Sequence, residues 1–88
     1  MVPSAHIQRQ DWVVIMRVYL NAPWLLSAMA LPLLRSAESG KLVFLLEDLD
    51  KVRGALWGAY GVSKHALATL VNQLDLECRS SGVVVKGV

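Results

Sequence analysis

From Trp12 to Leu34 the chain carries 23 residues in which the only formal charge is Arg17. No other stretch constrains the fold as much, because so apolar a helix must be covered by lipid or by protein. Its length suffices to cross a hydrocarbon layer of about 30 Å. Against that reading, Arg17 and Asn21 fall in its first half, at a cost on the order of a few kcal/mol in lipid, and Pro23 and Pro32 interrupt it. A helix buried between a sheet and a partner subunit accounts for the same apolarity, and the membrane reading is set second. Asp11 is the expected N-cap, and Arg35, Ser36 and Ser39-Gly40 mark the end. Pro23 removes a backbone donor and crowds the carbonyl four residues earlier, so the helix should bend there or change its hydrogen bonding.

The rest of the chain supplies what such a helix packs on. Lys41 to Glu47 is a short apolar run of strand length, and Asp48 to Leu56 reads as a loop. A second helix is expected from Gly58 to Arg79, with Leu67, Leu70, Val71, Leu74 and Cys78 on one stripe, before Ser80-Ser81-Gly82 stops it. Val83 to Val88 reads as a second strand. Strand, helix and strand in that order make a right-handed βαβ crossover with parallel strands. The fold class is therefore α/β, a partial Rossmann-like, doubly wound arrangement of two long helices and two parallel strands. Parallel sheets are covered on both faces, and these elements leave strand edges and one face open. Residues 1–10, with Pro3, Ser4 and a polar run, read as a loose N-terminal arm without the pattern of a signal peptide, and residues 11–88 as the partial domain.

Eighty-eight residues bury only about 60–65% of the surface of the unfolded chain, so stability should depend on a partner. With 55% apolar and 18% charged residues, part of the surface is expected to meet another chain. The net charge of +2 is spread over scattered lysines and arginines, which disfavours nucleic acid as a partner. One cysteine, Cys78, excludes an internal disulfide and reads as a half-buried helical thiol, which fits a reducing, cytoplasmic location. His6 and His65 have no second ligand at metal spacing, and no metal site is expected.

The chemistry concentrates at Tyr60 and Lys64. Four residues apart on a helix, they share a face about one turn apart. A cation beside a phenol favours the phenolate and brings the tyrosine toward the range where it exchanges a proton with an alcohol or carbonyl. The pair alone is a weak signal, since an amphipathic helix with a partly exposed tyrosine gives the same spacing.

The surrounding residues strengthen it. Trp57-Gly58-Ala59-Tyr60-Gly61-Val62-Ser63-Lys64-His65-Ala66 resembles the active-site helix of the short-chain dehydrogenase/reductase family. Val18-Tyr19-Leu20-Asn21-Ala22-Pro23, with Ala30-Leu31-Pro32-Leu33-Leu34 beyond it, resembles the preceding helix. The match runs from Asp11 to Val88, from the helix after the family's fourth strand to the start of its sixth. The resemblance implies NAD(P)-dependent hydride transfer between an alcohol and a carbonyl. Tyr60 would be the catalytic acid/base, and Lys64 would be both catalytic and cofactor-binding, holding the nicotinamide ribose. It also implies a substrate-polarising serine thirteen residues before the tyrosine, where this chain has Glu47, and an asparagine where it has Tyr19, or Asn21 in a shifted register. A carboxylate at 47 should oppose phenolate formation and repel an oxyanion.

The glycine-rich turn that holds a dinucleotide pyrophosphate has no counterpart among the six glycines. NAD or NADP is thus implied by resemblance but not expected to bind this chain alone, which reads as a truncated, inactive dehydrogenase. The family uses the two corresponding helices as a subunit interface. The alternative is therefore a non-catalytic dimerisation module that associates as a homo-oligomer or with an intact homologue; a third reading is a fragment that folds poorly. Substrate identity lies outside these motifs.

Overall fold

A computed structural model describes residues 3–88; Met1 and Val2 of the expected arm lie outside the described residues. The apolar run forms one continuous helical element made of α1 (Arg9–Met16), a π turn (Arg17–Asn21) and α2 (Ala22–Arg35). The helix starts earlier than Asp11 suggests, because Gln8 is already the extended residue before the first turn, with ψ of 141°. Asp11 instead lies in the first turn, where a carboxylate complements the exposed N–H groups. The arm is also less loose than expected, since Ser4–His6 forms a 3-10 turn.

The π turn gives the form of the change that Pro23 forces. The Ala22 N–H bonds the carbonyl of Arg17, five residues back, one position before a proline that cannot donate and would crowd Tyr19. Ser27, buried within α2, gives its hydroxyl to the Trp24 carbonyl at 2.7 Å.

Strands β1 (Lys41–Phe44) and β2 (Val84–Gly87) pair in parallel, Lys41 opposite Val84 and Phe44 opposite Gly87. Both are shorter than their apolar runs, yet Val88 N–H to Phe44 O (2.9 Å) and Leu46 N–H to Val88 O (2.6 Å) continue the pairing beyond them. Between the strands the expected loop contains a short helix, α3 (Leu49–Val52), begun by Asp48, whose carboxylate accepts from the N–H groups of Asp50 and Lys51. The long helix α4 (Gly58–Cys78) then returns to β2. The α-helix ends one residue before the expected Arg79, a 3-10 turn, Arg79–Ser81, follows it, and Gly82, at φ of 80°, takes the left-handed conformation that ends the turn.

The core forms where α4 crosses the sheet. Leu67, Val71 and Cys78 of α4 meet Phe44, Val83 and Val85 from the strand side and Leu31 of α2. Cys78 is wholly buried rather than half-buried. Leu70 and Leu74 flank this cluster, completing the stripe that the sequence predicts. The strand alternation leaves Val43 and Val84 exposed on the opposite face. The helical element Arg9–Arg35 behaves differently: it is long and apolar enough to cross a membrane, and very little of it is buried in the chain.

Candidate functional site

Tyr60 and Glu47 are brought together by two local devices. Asp48 caps α3 directly after Glu47, fixing where the chain leaves the carboxyl end of β1. Gly61 then lets α4 pack closely on α3, since any Cβ there would collide with the Val52 carbonyl. The entry to α4 is strained, with Leu56 at φ of 73°, a conformation costing about 1–3 kcal/mol for a side chain of this kind.

The Tyr60 hydroxyl donates to Glu47 Oε2 at 2.6 Å. That bond, with some burial and the negative charge of Glu47, pushes the phenol up to about 12, while the same bond holds the Glu47 carboxyl below its ordinary range. The sequence makes Lys64 the group that draws the phenol down; the structure overturns that direction. A carboxylate in hydrogen-bond contact outweighs an ammonium 5.7 Å from the ring centroid. The opposition expected of Glu47 is present.

Lys64 points along the other side of the ring. Its Nζ donates to the Leu45 carbonyl at 3.4 Å and lies 5.2 Å from the Tyr19 ring centroid. Tyr19 comes from the π turn and meets Tyr60 edge-on, with centroids 5.0 Å apart at 83°. Of the two candidates for the asparagine position, Tyr19 packs against the tyrosine. Ser63 is spent on packing: it is buried and donates to the Tyr60 carbonyl at 2.8 Å. His65 donates from Nδ1 to the Gly61 carbonyl at 2.9 Å, the ordinary position of a helical histidine.

Two grooves flank this constellation. The larger, about 790 Å³, is lined by Glu47, Trp57, Tyr60, Asp11, Val14 and Ile15 among others. The smaller, about 310 Å³, is lined by Lys64, Tyr19, Val43, Leu45 and neighbours. Tyrosine and lysine therefore serve different walls. Sequence reasoning missed Trp57 and Asp11 as groove residues, because their contribution depends on how α1 meets the entry to α4. Trp57, three residues before Tyr60 at a helix start, was the available signal.

The arrangement matches known proteins along its whole length. The family model for short chain dehydrogenase aligns with residues 1–88, so the match includes the first ten residues as well. The chain belongs to the short chain dehydrogenase family. The uncharacterized oxidoreductase YciK of Escherichia coli (strain K12) is 35% identical over 72 residues, which cover 82% of this chain and 29% of YciK. A Pseudomonas syringae structure assigned to the short chain dehydrogenases superposes with a TM-score of 0.90 at 31% identity, covering 98% of this chain and 36% of that one. A Shigella flexneri short chain dehydrogenase structure, complexed with NADP, gives 0.86 at 30% identity, with 97% and 35% covered. The chain thus spans about a third of the length of these dehydrogenases.

Proposed function

We propose that this chain carries the proton-transfer half of an oxidoreductase that moves a hydride between an alcohol and a carbonyl using NAD or NADP. In this reading Tyr60 is the acid/base and Lys64 its cationic neighbour and ribose contact. The observation that carries it is the Tyr60–Lys64 face of α4 standing at the carboxyl end of β1, where open α/β sheets bind ligands. The NADP held by the Shigella flexneri relative supports that cofactor class.

The described residues fit the cofactor only in part. Lys64 offers a donor to a ribose beside β1, while the glycines here serve helix ends and close packing, as Gly82 and Gly61 do, rather than a phosphate cradle. The 88-residue chain alone is therefore proposed to bind no dinucleotide and to transfer no hydride. The test is to follow NADPH fluorescence with the chain alone and then with a separately expressed dinucleotide-binding segment of a family member. The expected result is no saturable binding alone, and carbonyl-dependent NADPH oxidation on mixing that Tyr60→Phe reduces by about 10²–10⁴-fold. Saturable binding by the chain alone, or full turnover in Tyr60→Phe, would overturn the assignment.

A second reading rests on a separate observation. Leu26, Met29 and Leu33 of α2 are 65%, 65% and 74% exposed and follow one another at helical spacing. Such a strip supports a non-catalytic role in helix-mediated association, with a second copy or a homologue rather than lipid as its cover, given Arg17 and Asn21 in the same element.

A further inference from the structure

The larger groove differs in charge from what carbonyl reduction by a serine-bearing site needs. Glu47 only accepts hydrogen bonds when ionised, and its lowered pKa keeps it ionised at neutral pH. It cannot polarise a carbonyl, and it repels a developing oxyanion. Asp11 is a second carboxylate on the same groove, and among the described residues no lysine or arginine lines it. Among the described residues Glu47 makes no direct ion pair, the two recorded being Arg53–Asp50 and Arg79–Asp75, although Lys51 and Lys64 lie close enough to help lower its pKa. Tyr60 uses one Glu47 oxygen, and a carboxylate has further lone pairs to offer.

The walls carry the same preference. The Trp57 and Tyr60 rings lie with centroids 6.0 Å apart, tilted by 38°, and Val14 and Ile15 close the apolar side. Cations already collect on these rings from outside the groove: Lys51 Nζ lies 5.6 Å from the Trp57 centroid and Lys64 Nζ 5.7 Å from that of Tyr60.

We propose that the groove beside Tyr60 takes an organic ammonium ion with an apolar body, Glu47 being its counter-charge and the Trp57 and Tyr60 rings its wall. Glu47 is then the residue that sets ligand class, selecting an amino-bearing molecule where a hydroxyl at this position accepts a plain carbonyl. The proposal deepens the oxidoreductase reading and rests on it, in that an alcohol or carbonyl compound also bearing such an ammonium group would be the substrate presented to Tyr60. It is nonetheless tested without cofactor, so either can fail alone.

The experiment titrates the 88-residue chain with three molecules of nearly one shape, phenethylammonium, 2-phenylethanol and phenylacetate, following binding by calorimetry. The expected order is ammonium, then alcohol, then carboxylate, with the ammonium favoured about tenfold or more over the alcohol. Glu47→Gln should remove that advantage and leave the alcohol unchanged, and Glu47→Ser, checked for folding by circular dichroism, should do the same. Asp75→Asn, a remote carboxylate change, should leave the order intact. Equal affinity for the three molecules, or an ammonium preference that survives in both Glu47 variants, would overturn the proposal.

Discussion

Of the two long helical elements, the more apolar one is the less covered. Six residues of α4 are buried, including the Leu67, Val71 and Cys78 stripe on the sheet. The longer element Arg9–Arg35 buries only Ser27 and Leu31, while Trp24, Leu25, Leu26, Met29 and Leu33 stay exposed. Apolarity alone therefore does not locate a core. The βαβ crossover decides which apolar helix is covered within the chain, and the other stays largely exposed.

The largest effect that sharpens this contrast is expected at Leu67, which is 2% exposed in the middle of the core. Leu67→Ala should cost about 2–5 kcal/mol, most of the stability of a domain this small, seen as loss of a cooperative thermal melt. The next is at the packing of α3 on α4. Gly61→Val drives a branched side chain into the Val52 carbonyl and should cost about 1–3 kcal/mol or expel α3, increasing proteolysis between Asp48 and Leu56. An unchanged melt in either variant would show that the α4 side does not organise the fold.

How far the sequence made this legible follows from which interactions are local. The stripe of α4, the parallel strands and the stop at Gly82 are periodicity and turn chemistry, and they were readable to within a few residues. The π turn was half readable, since Pro23 announces a change but not its form. By contrast α3 has four residues and depends on the Asp48 cap and the close approach of Gly61, neither visible in a run that scans as a loop. At the site, Glu47 could be placed by counting back from Tyr60. That it would be in hydrogen-bond contact, and outweigh Lys64, depended on the turn between them.

The third expected effect is on titration rather than folding. Glu47→Ser replaces the charged carboxylate acceptor by a shorter neutral hydroxyl, so the Tyr60 phenol should fall from about 12 toward its ordinary value of 10.0, read by ultraviolet absorbance in a Tyr19→Phe background. The sign for stability follows from the two directions. The raised phenol contributes stability below its unfolded value that is lost as pH rises from 10.0 to about 12, and the lowered Glu47 carboxyl contributes stability above 4.5 that is lost as pH falls. The bond thus helps folding between these limits, weakly, because both groups are largely open to solvent. A phenol midpoint that does not move in Glu47→Ser would mean that the 2.6 Å contact is not kept in solution.

The smallest effect on folding is expected at the exposed strip of α2, and it tests what that surface is for. Leu26→Gln with Leu33→Gln exchanges two side chains that are 65% and 74% exposed, so the melt of the separated chain should move by no more than about 0.5 kcal/mol. If the strip is covered by another copy, the unchanged chain should scatter light as a defined oligomer and the double variant as a monomer, with the helical circular dichroism of both alike. If oligomers persist in the variant, association runs through the open sheet face at Val43 and Val84 instead. Were both chains monomeric and equally stable, the difference between the two helices would belong to a surface that other residues cover, and the α2 strip would have no role in self-association.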